Sequence, residues 1–352
     1  MAGWVWLWGL KGIGGLLVAA TLLPFLRSDA GFIRTFDFPR LQVAVAILPV
    51  LMLLLVVARD RGGLVLAVAL VACLAYQLYR IAPFTPLVRP QAVAATDTAG
   101  RADRRVSILV ANVLQDNTDH DTLVRLVLRH DPDLVLLLET DARWRDALAP
   151  LRARYPHAVE QAQPNTYGLL FYAKLPLENP QLRFLLEDDV PSIRTDVMLP
   201  SGERFTFHGV HPRPPHPGQS SAPRDAELVM VAQEVRKHGG PTVVAGDLND
   251  VAWSRTTTLF QKISGLLDPR IGRGLYPTFN ANWPVLRWPL DHVFFSDDFL
   301  LGRLERLPHI GSDHFPILIS LYRSDAAPKV QEAPQADAAD LEAGREAIEA
   351  AQ

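Results

Sequence analysis

Eight polar residues stand at the ends of short apolar runs. Asn112 closes VSILVAN, Glu139 closes DLVLLLE, His211 closes FTFHGVH and Asp247 with Asn249 closes TVVAGDLN, while Asp291 opens DHVFF and Asp313 with His314 precedes PILISLY. Taken singly, each has an ordinary structural explanation: Asn112 and Asn249 suit turn backbone, Glu139 can cap a following helix, and Asp247 can pin the Gly246 turn. Strand ends of a layered sheet are neighbours in space, so the set together predicts one pocket. Glu139, helped by Asn112 or Asp313, offers hard oxygen ligands of the kind Mg²⁺ or Mn²⁺ takes. There is no HExxH, no cysteine cluster and no run of histidines to suggest zinc. His314, beside Asp313 and with Asp291 as a second acid, is an imidazole that a carboxylate can hold in one orientation, ready to orient water or stabilise an oxyanion. Asp247 can take a proton from an attacking water, and Asn249 can donate to a phosphoryl oxygen. These parts suit metal-assisted attack of water on phosphorus. A serine hydrolase fits worse, because there is no GxSxG and Ser312 lacks the strand-turn-helix setting that activates such a serine.

The elements that must position these residues lie between Val106 and Arg323. VSILVAN and DLVLLLE read as buried strands, with helical spacing of Leu123, Leu126 and Val127 between them. FTFHGVH and TVVAGDL bracket a second helical stretch, Arg224 to Lys237, and LDHVFFS and PILISLY close the domain. Strands mixed with helices over this length indicate an α/β or α+β layered domain with a full core. After Ser324 the chain is Ala, Glu, Asp, Gln and Pro, too poor in large apolar residues to pack, and reads as an acidic, disordered or loosely helical tail over 324–352.

The first quarter has a different texture. Over 352 residues the apolar fraction is 49% and the formal charge −3, and the apolar excess sits before residue 82. Three runs, about 4–26, 41–58 and 64–81, each approach the length of about 20 residues that a membrane crossing needs. The first is too long for a signal peptide's apolar core, and two more follow it. Trp4, Trp6 and Trp8 are expected at the interface, and Lys11 must snorkel or face a neighbouring helix. Residues 82–105, with Pro83, Pro86 and Pro90, read as a Pro/Ala-rich linker. We therefore expect a multi-pass integral membrane protein, its compartment a bacterial inner membrane. Arg27, Arg34 and Arg40 in the first loop and Arg80 and Arg89 after the third run, against Arg59 and Arg61 in the second loop, lean towards a cytoplasmic C-terminal domain. Cys73 is the only cysteine, so no intramolecular disulfide forms.

The ordered set ANV, LLLET, YGLLFYAK, HGVHP, AGDLND, LDHVF and GSDHFPI resembles the endonuclease/exonuclease/phosphatase superfamily over about Arg105 to Tyr322. GD-x-N followed by SDH is the specific part. The resemblance implies the deoxyribonuclease I-like fold, a four-layer α/β sandwich of two packed mixed sheets with helices outside. It further implies Glu139 as the main Mg²⁺ ligand (Mn²⁺ as the second choice), with Asn112 and Asp313 near the metal. Asp247 then handles the water, Asn249 contacts the phosphate, and His314, oriented by Asp291, stabilises the transition state. His211 matches a phosphate contact or general acid. Two positions depart from the pattern: Leu138 where many members have Gln, and His292 where Tyr is common.

The resemblance fixes the bond and leaves the molecule open, since the superfamily acts on nucleic acids, lipids and soluble phosphates. Lys and Arg nearly balance Asp and Glu across the C-terminal domain, giving little pull on a polyanion. Trp283 and Trp288, in YPTFNANWPVLRWP, can stack bases or dip into lipid. The expected activity is that of a membrane-anchored, Mg²⁺-dependent hydrolase of a phosphodiester or phosphomonoester. Its rival is a non-catalytic membrane receptor or scaffold binding a phosphate ligand through the same fold.

Overall fold

The computed structural model describes residues 2–58, 60–96, 102–216 and 218–352, with side chains described from residue 5. Expectations resting on the Trp4 side chain, on Arg59 and on linker residues 97–101 lie outside the described residues. The chain divides into two compact units, one of residues 1–88 with 215–221, the other of residues 89–214 and 222–352.

In the first unit, α1 (Ala2–Leu22), α3 (Arg40–Val57) and α4 (Arg61–Ile81) pack together, with a short α2 (Gly31–Arg34) between α1 and α3. Three segments, Val5–Phe25, Arg40–Val57 and Arg61–Phe84, are long and apolar enough to cross a membrane. Their inner faces meet through Ile47, Leu54 and Leu70, while Trp6, Trp8, Met52 and Val68 point outwards. Lys11 meets a neighbour: its Nζ lies 2.7 Å from Asp60 Oδ2, at the N-cap of α4. At the other end of the bundle, Gln77 donates to Thr21 at 3.0 Å and accepts from Arg40 at 3.2 Å, and Arg40 also reaches Asp37 at 2.5 Å. These polar groups inside the apolar bundle are thereby paired with one another, which offsets their withdrawal from water.

The second unit holds eleven strands among the described residues, in two sheets. The first is built from β1 (Arg105–Asn112), β2 (Leu134–Leu138), β3 (His157–Gln161), β4 (Leu169–Ala173), β10 (Phe299–Arg306) and β11 (Ile317–Arg323), in the order β10-β11-β1-β2-β4-β3. The second runs β5 (Leu177–Phe184), β6 (Pro191–Met198), β7 (Arg204–Val210), β8 (Thr242–Asp247) and β9 (Asp291–Phe295) in chain order. Alternation of apolar side chains gives each sheet two buried faces. Ile108, Val110, Leu134 and Leu136 face Phe207, Val243 and Ala245 between the sheets, where Phe171 stacks on Phe207 at 4.7 Å. Leu109, Val135 and Leu137 face outwards onto α5 (His120–His130) and α6 (Ala142–Ala147). Val244 and Phe294 do the same towards α7 (Ala222–His238) and α8 (Arg255–Ser264). Helices, sheet, sheet and helices make the expected four-layer α/β sandwich.

Two segments, the tail and the linker, are seen to pack. The tail is ordered: α9 (Ala338–Glu349) opens on an Asp337 capping box and packs Leu341 and Ile348 against the α7 and α8 cluster. Lys262 reaches Asp340 at 3.0 Å. Large apolar residues are scarce there, but Gly344 lets the helix come so close that a Cβ would stand 2.8 Å from Ile263 Cδ1, and small residues thus replace bulk. The second half of the linker is also docked. Leu301 exchanges backbone hydrogen bonds with Val93 and Ala95 at 2.9 and 2.8 Å, and Ala92 is buried in the core between the sheets.

Candidate active site

The strand directions bring the polar residues to one edge. β1 and β2 are parallel and end together, so Asn112 and Glu139 leave the first sheet side by side. β7 and β8 are also parallel, which sets His211 beside Asp247 at the end of the second sheet. β9 runs the other way, and its first residue, Asp291, pairs in register with Asp247. β11 runs against β1, with Ile317 opposite Val110, so the turn carrying Asp313 and His314 arrives at the same edge.

Asn112 ties the two sheets together there. Its Nδ2 donates to Glu139 Oε1 at 2.8 Å and to Asp247 Oδ2 at 3.1 Å. The backbone N–H of Leu114 holds the Asn112 Oδ1 at 3.1 Å. Glu139 sits at φ +59°, a left-handed conformation that costs a non-glycine residue energy and clusters at functional sites. Burial pushes its carboxyl pKa up, and the nearby Asp313 charge adds to this against the lowering effect of Asn112. A cation would relieve both causes. Carboxylate and amide oxygens suit a hard divalent ion; here Asn112 turns its Nδ2 to Glu139 and Asp247 and its Oδ1 to the Leu114 N–H.

A second line of contacts crosses the site. His314 Nδ1 lies 2.7 Å from Asp291 Oδ2, and its Nε2 lies 3.6 Å from Asp247 Oδ2. Asp247, Asp291 and His314 are close enough for one ion. Both imidazole nitrogens already face carboxylates, however, so this trio reads more naturally as a proton-holding chain. Burial opposes charge on His314, but Asp291 and then Asp247 outweigh it and raise its pKa to about 10. Burial pushes Asp247 up to about 6, with His314 pulling the other way. His211 Nε2 is 3.9 Å from Asp247 Oδ2, its Nδ1 is buried with no hydrogen-bond partner among the described residues, and burial keeps the ring neutral.

The backbone around Asp247 explains the AGDLN spelling. Gly246 has φ +150°, and a Cβ there would stand 1.8 Å from Val210 O. Asn249 N–H donates to Asp247 Oδ1 at 2.9 Å, and Asn249 Nδ2 donates to Pro212 O at 3.0 Å. All eight residues picked from the sequence thus come to one edge. Asp313 is half-buried, and its backbone oxygen accepts from Ala281 N–H at 2.7 Å.

Sequence reasoning missed several supports. Ser312 Oγ donates to Asn112 O at 2.8 Å and accepts from His314 N–H at 3.0 Å, linking the two turns. Phe279 packs its ring 4.9 Å from that of His314 and bridges to it through the backbone. The Tyr167 ring lies 5.7 Å from the His211 ring, and the Arg213 guanidinium stands 4.8 Å over the Tyr167 ring. The Ser in GSDH was a visible signal; the Phe and Tyr positions were not. Leu138 is fully buried in the core between the sheets, so its departure from Gln leaves the site's polar set intact. His292 is buried, kept neutral by burial and by Arg270, and bonds Asp250 O at 2.9 Å through Nε2.

The sequence model of the Endonuclease/Exonuclease/phosphatase family matches residues 109–314. No curated protein sequence matches the chain. Among solved structures, the human Nocturnin catalytic domain with bound sulfate is similar at TM-score 0.52 and 16% identity, covering 63% of this chain and 94% of that one. D. rerio TDP2 complexed with a single-strand DNA product gives 0.51 and 17%, covering 62% and 98%. An endonuclease/exonuclease/phosphatase family protein from Bacteroides thetaiotaomicron gives 0.51 and 16%, covering 62% and 98%. At these identities the structural likeness shows the fold.

Proposed function

The chain belongs to the endonuclease/exonuclease/phosphatase family, and on that premise we propose that it is a membrane-anchored, metal-dependent phosphohydrolase that directs water at phosphorus, with a phosphodiester as substrate. The observation that carries this reading is the bridge made by Asn112, which joins Glu139 on one sheet to Asp247 on the other. A metal-holding carboxylate and a water-activating carboxylate are thereby fixed against each other.

Asp247 accepts the proton of the attacking water as the water oxygen bonds to phosphorus and the bond from phosphorus to the ester oxygen breaks, the departing alkoxide taking a proton from solvent. The raised pKa of Asp247 makes it a better base than a solvated aspartate while leaving it ionised at neutral pH. His314, held by Asp291 and charged at neutral pH, stabilises the negative charge that grows on the phosphoryl oxygens. Asn249 Nδ2 and the neutral His211 contact the phosphate, and the partnerless Nδ1 of His211 supports that role. Glu139, Asn112 and Asp313 would hold Mg²⁺, or Mn²⁺ in its place, which when bound would supply charge neutralisation at the phosphate. The three helices support attachment to a bilayer, and the basic residues flanking them favour a cytoplasmic domain in a bacterial inner membrane.

The test is hydrolysis by the purified full chain. With Mg²⁺ it should cleave bis(p-nitrophenyl) phosphate and stop on addition of EDTA, and hydrolysis that ignores EDTA would remove the metal from the mechanism. A panel of DNA, RNA, phospholipids and phosphomonoesters then identifies the class. Binding of such ligands with no turnover of any of them would favour a receptor over an enzyme.

A further inference from the structure

The segment between α8 and β9 carries a loop whose base is tied to Asp291, Asp313 and His314. Thr278 Oγ1 accepts from Asp291 N–H at 3.2 Å, Ala281 N–H donates to Asp313 O at 2.7 Å, and the Phe279 ring packs on that of His314. The two arms of the loop pair through Phe279, whose N–H donates to Trp288 O at 2.9 Å. Arg287 closes the turn, its Nε and Nη2 donating to Asn280 O and Ala281 O at 3.2 and 2.8 Å.

The tip held out by this frame is apolar. Trp283 is 63% exposed, Val285 76% and Leu286 43%. Single apolar residues on a surface are ordinary, but three large ones within four positions of a fixed loop make a patch. The charge around it has one sign: between Pro269 and Leu290 there are three arginines and no acid. Arg287 and Arg306 stand 5.0 and 4.3 Å over the Phe315 ring, and among the described residues they donate to backbone carbonyls and to no carboxylate. A tryptophan with aliphatic neighbours, backed by arginines that no acid neutralises, suits a bilayer surface, with acyl chains for the tip and phosphate for the guanidinium groups. A single-stranded nucleic acid would use the tryptophan and the arginines, but Val285 and Leu286 offer no ring face to a base.

We propose that residues 282–287 dip into a lipid bilayer and that the substrate is a phosphodiester in the headgroup of a bilayer lipid. The substrate half rests on the functional reading above, in which the chain is anchored by its own three helices and a bilayer is the surface it is covalently held to. Water adds to the lipid phosphorus, one ester oxygen leaves and takes a proton from solvent, and the products are an alcohol and a phosphomonoester.

The test uses the full chain in vesicles of phosphatidylcholine and phosphatidylglycerol with Mg²⁺. Contact is read first, without reference to turnover. Cys73 is the only cysteine, so Leu286→Cys in a Cys73→Ser background takes a single nitrobenzoxadiazole label. Its emission should shift to the blue and be quenched by doxyl-labelled lipid; a label that stays in water overturns the proposal. Turnover is read as the ratio of phospholipid to bis(p-nitrophenyl) phosphate hydrolysis. Trp283→Ser and Leu286→Ser should each lower that ratio about tenfold or more, the scale set by withdrawing one such side chain from water. Trp283→Phe and Leu286→Met should keep most of it. An unchanged ratio in both serine variants overturns the proposal. So does a wild-type chain that cleaves single-stranded DNA and no phospholipid, with the DNA rate falling in Trp283→Ser, since the loop then stacks bases. If the wild-type chain hydrolyses neither lipid nor bis(p-nitrophenyl) phosphate, the functional reading fails on its own, and the label still decides whether the loop meets the bilayer.

Discussion

His314 is held between two carboxylates, 2.7 Å from Asp291 through Nδ1 and 3.6 Å from Asp247 through Nε2. Asp291 and Asp247 are cross-strand partners on β9 and β8, so the imidazole from the other sheet is inserted against a pair that the register of the second sheet has already set. On the proposed reading, Asp291 orients His314 and Asp247 works on water.

Removing the imidazole should therefore be severe. His314→Ala is expected to lower kcat by about 10²–10⁴-fold, the usual contribution of a positioned acid or base, with the fold retained by circular dichroism. A rate within threefold or so of wild type would take His314 out of the reaction.

The pH profile should show two limbs. Asp247 works ionised and its pKa is raised to about 6, so activity is expected to fall as pH drops through that value. His314 works protonated and its pKa is raised to about 10, so activity should fall as pH climbs through that region. Asp291→Asn removes the largest raising influence on His314 and should move the alkaline limb to lower pH. A limb that stays in place in that variant would assign it to another group.

Metal binding at Glu139 should couple to stability. Divalent ion bound only by the folded chain raises the melting temperature by mass action. Wild-type chain should melt higher with added Mn²⁺, and Glu139→Gln should lose most of that shift. An equal shift in the variant would place the ion elsewhere.

The C-terminal helix should contribute measurable stability. Deleting residues 337–352 exposes the α7 and α8 surface that Leu341 and Ile348 cover, and removes the Lys262 to Asp340 pair. A loss of about 1–3 kcal/mol is expected from the partly buried apolar groups, with the half-exposed ion pair adding little. Denaturant unfolding of the two chains compares them directly, and equal stability would return the segment to a passive tail.

Much of the site was legible because its chemistry sits where strands stop. Asn112, Glu139, Asp247 and Asp291 were readable only as a set, since each alone has an ordinary explanation but strand ends converge in space. What the polar residues touch was not readable. Nothing in local pattern says that Asn112 spans both sheets, that Phe279 packs on His314, or that Ser312 bonds Asn112 O, because each contact joins segments far apart in the chain. The packing of the tail was unreadable for a related reason: beside Leu341 and Ile348, α9 packs through Gly344 and alanines, and small residues carry no hydrophobic pattern strong enough to announce a buried face.

The sheet order has a consequence for how the protein is made. β1 pairs with β11 with Arg105 opposite Tyr322, while the whole second sheet lies between them in sequence. On the ribosome β1 must wait for more than two hundred further residues before its antiparallel neighbour exists. Distant pairing of this kind is slow, since the entropy of closing the loop comes before the contacts that reward it. The three apolar helices emerge before any of these strands. The nascent chain is thus expected to be inserted while its catalytic half is still incomplete, and the last strand to be synthesised follows directly on the turn that carries His314.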